Sequence, residues 1–362
     1  MVRKMEKNFF NSIVENDMKE IYKSIDEWHN LRGKKVYITG ASGMLASYFV
    51  MILIYLNEKY NMEIDIYICV RHIQKAYIKF GEYVEKPYFH VIIQDVVDAV
   101  KLSEKVDYIV HAASLASPQF YGKYPVETMA PNIIGTYELL KYSVDNTNLE
   151  RFLFFSSDSI YGEIKDKLEV DETTYGDFDF LDIGNFYGES KRCGEALCKA
   201  FYIEYGIPVN SIRIHHTYAP TMDIDNDKRA FSEFVKNVVD NQDIVLKSSG
   251  NAKRAFCYIT DAIIGMFMVL FRGKKGESYN IGNPYEYRSI AELASIIAKL
   301  SPKKSSKVVR QIRENSINYQ SRASVSQSNL CIKKIKEIGW EPKISVEEGF
   351  RRCIQYHTER MN

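Results

Sequence analysis

A chain of 362 residues with a formal net charge of +1 carries no broad field that would recruit nucleic acid or a membrane surface. Its 46% hydrophobic and 26% charged content is that of a soluble globular protein, long enough for one large domain or two lobes. The apolar run Tyr48–Leu56 is too short to span a bilayer, and the N-terminus lacks the apolar core of a signal peptide. Six cysteines (Cys69, Cys193, Cys198, Cys257, Cys331 and Cys353) stand scattered with no Cys-x-x-Cys spacing. They read as reduced thiols of a cytoplasmic protein, and neither a metal site nor a disulfide set is expected.

Residues 1–30 read as a helical extension, with Phe10, Ile13, Val14, Met18, Ile21, Tyr22, Ile25 and Trp28 at helical spacing. The segment carries no chemistry and is expected to pack on the main domain or on another subunit. Next, the β-rich run Lys35–Thr39 enters Gly40-Ala-Ser-Gly43-Met-Leu-Ala46, and an apolar helix follows over Ser47–Leu56. Strand, glycine turn and helix in that order are the context that gives a glycine motif meaning. Gly40 permits the turn, Gly43 lets backbone approach a pyrophosphate, and the helix N-terminus offers free N–H groups to that anion. Ala46 is the third small position.

A second strand, Ile64–Val70, ends at Arg71 and lacks the acidic residue that would hold an adenosine ribose diol. Arg71 suits a 2′-phosphate, stacking on adenine, or plain solvent exposure, so NAD and NADP both stay open. A third strand from His90 runs to Asp95, a candidate acceptor for the adenine amino group. A fourth, from Val106, ends in His111-Ala112-Ala113-Ser114, whose small side chains leave room for a flat cofactor. His111 reads as a packed, hydrogen-bonded histidine. After a helix over about 125–143, a fifth strand, Arg151–Phe155, leads to Ser156-Ser157-Asp158-Ser159, where hydroxyls and a carboxylate crowd a strand end.

Tyr187 and Lys191 then stand one helical turn apart on one face of a predicted helix. A phenol is a poor base near neutral pH, and an ammonium at i+4 is expected to lower its pKa. Such a pair can take a proton from an alcohol while a nicotinamide takes the hydride. A sixth strand, Val209–Ile214, leads to His215-His216 and Pro220. Beyond it, helices are expected over 223–229, 231–241, 259–271, 290–300, 330–338 and from Val346, with Arg229 and Arg254 in polar, loop-like surroundings. Their guanidinium geometry suits a diphosphate. The alternation of strands and helices predicts an α/β fold: a Rossmann-type doubly wound parallel sheet with a smaller C-terminal substrate-binding lobe.

Taken together, these motifs resemble the extended short-chain dehydrogenase/reductases that remodel nucleotide sugars: epimerases, 4,6-dehydratases and UDP-glucuronate decarboxylases. The resemblance covers roughly residues 33–355. Besides the glycine turn and the Tyr187/Lys191 pair, it rests on Asn132-x-x-Gly135-Thr136, Ser156-Ser157-x-x-Ile160-Tyr161-Gly162, Arg213-x-x-x-x-Tyr218-x-Pro220, Arg254-x-Phe256-x-Tyr258-Ile259-x-Asp261, Asn280-Ile-Gly282-Asn283-Pro284 and Gly339-Trp340-x-Pro342. Ala113-Ser114-Leu-Ala-Ser117-Pro118 and Lys191-Arg192-x-x-Glu195 look most like the decarboxylases.

The resemblance implies oxidation of the sugar at C4 by bound NAD, with Tyr187 as base, Ser157 on the same oxygen, and Lys191 on the nicotinamide ribose and beside Tyr187. Asp158 matches the acid of the dehydratases. It also implies cofactor contacts from Gly40, Ser42, Gly43, Met44, Leu45, Arg71, Asp95, Val96, Ala112, Ala113, Ser114, Tyr187 and Lys191, and substrate contacts from Ser117, His216, Arg229 and Arg254. The implied partners are a nucleotide sugar, expected to be UDP-linked, and a second copy of the chain in a homodimer. The implied division is residues 31–215 with about 255–285 for the cofactor, and about 216–254 with 286–362 for the substrate.

Three departures leave the reaction open. Ser159 stands where dehydratases and decarboxylases carry Glu, and a serine hydroxyl does not take a C5 proton unaided. His216 stands where the family commonly has Asn, and Ala219 where it has Gly. The general likeness leans to decarboxylation, the local motif to C4 epimerisation, and dehydration comes third. A NADP-dependent keto-sugar reductase is a separate alternative, motivated by Arg71. A catalytically dead nucleotide-sugar binder is disfavoured by the intact Ser157, Tyr187 and Lys191.

Overall fold

The computed structural model describes residues 10–164, 169–303, 305–311 and 328–361. Its centre is a parallel sheet of β1 (Lys35–Thr39), β2 (Asp65–Val70), β3 (Phe89–Ile93), β4 (Tyr108–His111), β5 (Arg151–Ser157), β6 (Val209–Ile214) and β7 (Glu277–Ile281). The strand order is β7-β6-β5-β4-β1-β2-β3. Both faces are covered, so the strands read as nearly continuous apolar runs. Alternation still divides them. Val36 and Ile38 point into one core, with Leu153 and Phe155, while Tyr37, Phe152 and Phe154 point into the other.

The order reverses between β1 and β4, which pair with Thr39 opposite His111. That is the switch point at which an open α/β sheet splays its connecting helices and leaves a crevice at its carboxyl edge. Of those helices, α2 (Met44–Tyr60) is buried continuously from Ala46 to Leu56. An all-round apolar helix is stable only when covered on all sides. The cover comes from α1 (Ser12–Lys23) and α8 (Ile259–Arg272), which pack against it. The other helices used below are α3 (Ile73–Phe80), α4 (Pro125–Ala130), α5 (Thr136–Val144), α6 (Phe186–Tyr205), α7 (Ala230–Val239), α9 (Ile290–Lys299) and α10 (Val346–Met361).

The extension from residue 10 is part of this core. Asp17, fully buried on α1, accepts from the hydroxyls of Tyr48 (3.0 Å) and Tyr258 (2.8 Å) and from Arg352 (2.9 Å). One carboxylate thus joins α1 to α2, to the strand pair at Tyr258 and to α10. The predicted helix over residues 1–30 ends at Lys23 and resumes as a 3-10 turn, Glu27–Leu31. Its first nine residues lie outside the described ones, as do 304 and 312–327 of the predicted substrate lobe.

The remaining strands form short two-stranded pairs. Thr217–Tyr218 lies beside Cys257–Tyr258, and Lys253–Ala255 beside Tyr287–Ser289. Of two expected helices one is absent and one is shortened. Residues 223–229 form a turn because the Asp223 side chain accepts from the amides of Asp225 and Asn226, a local bond that competes with helix. In 330–338 the helix is only Lys333–Glu337, since Asn329–Leu330 pairs with Glu169–Val170. Among the described residues no helix is long and apolar enough to cross a membrane.

Candidate active site

The crevice is built from glycine upward. Gly40, just past β1, has φ +64°, and a Cβ on it would lie 2.6 Å from the Ala113 Cα. Glycine therefore serves both the turn and the close approach of β1 to the end of β4. Gly43 donates its N–H to the Gly40 carbonyl at 2.9 Å and caps α2, with no side chain bonded to the helix's first amides. Met44 and Leu45 form the first turn and Ser42 precedes it, all partly exposed. Ala112, Ala113 and Ser114 follow β4, and the Ser114 hydroxyl is buried beside the Tyr187 phenol. A helix N-terminus with free amides and small residues opposite it suit a dinucleotide. Arg71 is exposed beyond β2. Asp95 lies two residues past β3, its carboxylate accepting from the Val97 amide at 3.3 Å. Val96 is buried against Gly135.

His111 has the partners that the sequence left unnamed. Its Nε2 donates to the Pro131 carbonyl (3.1 Å), so its Nδ1 accepts from Thr39 (2.8 Å). Burial, then the charge of Lys191, lowers it to about 3, and it stays neutral. The receiving carbonyl belongs to a π turn, Pro131–Gly135, between α4 and α5. Such turns release backbone groups from the helical ladder and recur at functional sites. Within it, Asn132 donates to the Ser190 hydroxyl at 2.8 Å, which fixes the helix carrying Tyr187.

Tyr187 and Lys191 sit on α6 against the end of β5, both buried. The Lys191 amine donates to the Phe155 carbonyl at 2.5 Å, 4.9 Å from the Phe154 ring centre and 5.8 Å from that of Tyr187. Burial brings it down to about 7. Burial also pushes Tyr187 up to about 12, against the pull of the Ser157 and Ser114 hydroxyls and with a push from Asp158. The expectation that Lys191 lowers the phenol is not met in this arrangement, because the amine is directed to the Phe155 carbonyl and is itself desolvated.

From β5, Ser157 donates to Asp158 Oδ1 at 3.0 Å. Asp158 Oδ2 faces His216 Nε2 at 3.3 Å and His215 Nδ1 at 3.7 Å. Burial works to raise this carboxyl, but His216, His215, Ser157 and Arg254 outweigh it and hold it below the usual range. Ser159 is exposed, its hydroxyl 3.2 Å from the Ser157 oxygen. The structure therefore brings Ser114, Ser157, Asp158, Tyr187, Lys191 and His216 together.

The two arginines are nearby but engaged. Arg229 is bound to Asp227 (2.6 Å), and Arg254 donates to the Lys253 carbonyl (2.7 Å) on a short strand, where a loop was expected. Arg229 nonetheless pulls down Tyr187, and Arg254 pulls down Asp158. Ser117 opens the helical turn Pro118–Tyr121. That turn supplies a residue the sequence reading missed: Tyr121 stacks on Tyr187, with ring centres 4.9 Å apart and planes 9° from parallel. No spacing rule signals such a contact. His215 was passed over for the same reason. Among the described residues no group of three or more His, Cys, Asp or Glu side chains is placed to hold a metal ion.

Comparison with known proteins follows the same lines. The NAD dependent epimerase/dehydratase family matches residues 36–282. UDP-glucuronic acid decarboxylase 6 of Arabidopsis thaliana is 30% identical over 317 residues, covering 87% of this chain and 86% of the relative. UDP-glucuronic acid decarboxylase 1 of Xenopus tropicalis is 28% identical over 330 residues, 91% of this chain and 73% of the relative. Among solved structures, the UDP-glucuronic acid 4-epimerase of Bacillus cereus in complex with UDP-glucuronic acid and NAD has a TM-score of 0.72 at 23% identity, over 90% of this chain and 99% of that one. Epimerase Mth375 of Methanothermobacter thermautotrophicus reaches 0.77 at 20% identity, over 93% and 96%. These structural likenesses concern the fold.

Proposed function

Because the chain belongs to the NAD dependent epimerase/dehydratase family, we propose that it oxidises a nucleotide sugar at C4 to a 4-keto intermediate and acts as a UDP-glucuronate decarboxylase. The observation that carries this reading is the meeting of Ser157, Tyr187 and Lys191 at the carboxyl edge of the sheet, beside the uncapped start of α2. The likeness to relatives named UDP-glucuronic acid decarboxylases supports the choice of substrate.

Gly40, Ser42, Gly43, Met44, Leu45, Ala112, Ala113 and Ser114 would hold the cofactor, with Arg71, Asp95 and Val96 toward its adenosine end and Lys191 at its nicotinamide ribose. Bound there, NAD supplies a hydride acceptor for C4. Tyr187 takes the C4 hydroxyl proton and Ser157 orients that oxygen. Ser117, His216, Arg229 and Arg254 contact the nucleotide sugar, the two guanidinium groups serving its diphosphate once Arg229 is shared with or released from Asp227. Residues 31–215 with about 255–285 form the cofactor domain in this reading, and the rest beyond 216 forms the substrate lobe. A second copy is expected against α4–α6, where Val126, Ile134, Tyr137, Ile203 and Tyr205 are exposed. Ile203→Asp should then shift sedimentation equilibrium toward monomer.

C4 epimerisation is the second reading, favoured by Ser159, whose hydroxyl bonds Ser157 and offers no base. The test is NMR of the holoenzyme with UDP-glucuronate, UDP-glucose and UDP-N-acetylglucosamine in deuterated buffer. A UDP-pentose or 4-keto pentose bears out decarboxylation. A product of unchanged mass inverted at C4 means epimerisation, and loss of the C6 oxygen means dehydration. Turnover of NADPH with a keto-sugar alone would point to the reductase.

A further inference from the structure

We infer that Asp158 and His216 form an acid–base pair that moves the proton at C5, the carbon beside the C4 carbonyl, in place of the carboxylate absent at Ser159. The inference rests on the C4-oxidation reading above.

Two neighbouring strands build the pair. β5 delivers Asp158 directly after Ser157, and β6 delivers His216 two residues past its end. The carboxylate is divided between two duties: Oδ1 accepts from Ser157, and Oδ2 lies 3.3 Å from His216 Nε2. With the hydrogen on Nε2, toward the carboxylate that can only accept, Nδ1 keeps its lone pair. No described residue hydrogen-bonds that Nδ1. A carboxylate behind an imidazole fixes its tautomer and stabilises its protonated form, the arrangement of a general base. Ser159 cannot substitute, because its hydroxyl is within bonding distance of Ser157 Oγ.

The charged or titratable groups facing His216 are Asp158, Arg254, His215 and Arg229. Burial, with the two guanidinium groups and His215 against Asp158, keeps the imidazole neutral, lowered to about 4. The resting pair is therefore a free base backed by a carboxylate. The His216 side chain is one-third exposed, which gives its proton a route to solvent.

The proton balance closes for either fate of the ketone. Where C5 carries hydrogen and loses it, Nδ1 takes the proton, and the C–H bonding pair moves into a C4–C5 enolate. Where a 4-keto uronic acid decarboxylates, the C5–C6 bond breaks, carbon dioxide leaves, and its bonding pair forms a C4–C5 enolate that keeps the C5 hydrogen and lacks C6. The imidazolium, charged from solvent, then gives C5 its proton.

The test uses the holoenzyme with UDP-glucuronate in deuterated buffer, following nicotinamide reduction at 340 nm and deuterium at C5 by NMR. His216→Asn keeps an N–H toward Asp158 but has no basic nitrogen. At saturating UDP-glucuronate, which offsets the lost sugar contact, it should accumulate reduced nicotinamide and form C5-deuterated product about 10²–10⁴-fold more slowly. Wild-type rates of that product from His216→Asn overturn the pair while leaving C4 oxidation intact. Absence of both nicotinamide reduction and product in the wild type overturns both. A readout independent of turnover is ¹⁵N NMR of histidine-labelled protein: Asp158→Asn should move the His216 ring signals. Unmoved signals overturn the pairing.

Discussion

Lys191→Met separates what the amine does for function from what it does for stability. The amine is brought from an ordinary 10.5 to about 7. Converted at 1.36 kcal/mol per pKa unit, keeping it charged below pH 7 costs the fold about 5 kcal/mol. Methionine fills similar space without the charge, but it leaves the Phe155 carbonyl without its donor. That loss is worth about 1–3 kcal/mol. The variant should therefore be about 2–4 kcal/mol more stable than wild type at pH 6. The sign reverses in alkali. The native amine binds its proton more weakly than the unfolded one, so wild-type stability rises with pH from 7 to 10.5. Above that window only the lost hydrogen bond remains, and the variant is the less stable by about 1–3 kcal/mol. Urea denaturation of cofactor-stripped protein at pH 6 and near pH 11 measures both ends, and turnover should be lost at each. Equal destabilisation of the variant at both pH values would refute the reasoning, since it would mean that the buried amine imposes no charge penalty.

Tyr187→Phe should cut turnover about 10²–10⁴-fold while changing the unfolding free energy by less than about 1 kcal/mol, and a fully active variant would remove the phenol from the role of base. Gly40→Ala should destabilise by about 3 kcal/mol or more, combining left-handed backbone strain of about 1–2 kcal/mol with a main-chain clash at Ala113, and should abolish NADH binding in a fluorescence titration. Asp17, raised to about 6 chiefly by burial, should contribute stability that is complete below about pH 3.8 and is lost as pH rises through 6, a span worth about 3 kcal/mol. Asp17→Asn should remove that slope from the difference in unfolding free energy between pH 4 and 7; an unchanged slope would assign it to other carboxylates.

Most of the sheet was legible because its strands announce themselves locally. The runs at Lys35, Val106 and Val209 are apolar, short and bounded by turns, and the structure keeps them as strands. The misreadings arose where a side chain or a distant strand overrides local preference. Asp223 turns its own backbone away from helix, and Asn329–Leu330 becomes strand only because Glu169–Val170 is beside it. Several motif residues that look functional in sequence prove to hold the fold. Arg213 spans Glu195 (2.8 Å) and the Tyr161 hydroxyl (3.0 Å), and Asp261 accepts from the amides of Lys343 and Ile344 while Trp340 donates to its carbonyl.

The site was legible in its vertical elements and opaque across them. Tyr187 and Lys191 can be paired from i, i+4 spacing, and Gly40 and Gly43 from the strand–turn–helix context, because each pair lies within one element. Asp158 with His216, and Tyr121 with Tyr187, are contacts between elements 58 and 66 residues apart, and no periodicity carries that information. At 216 the chain has His where the family commonly has Asn. Across the crevice it is a gain, since β5 places a carboxylate opposite that same position. The absence of Glu at 159 and the presence of His at 216 then have one explanation, a base moved from one strand end to its neighbour. That step can be made only once the β5–β6 register is known, with Ser157 opposite Ile214 and the two histidines directly beyond it.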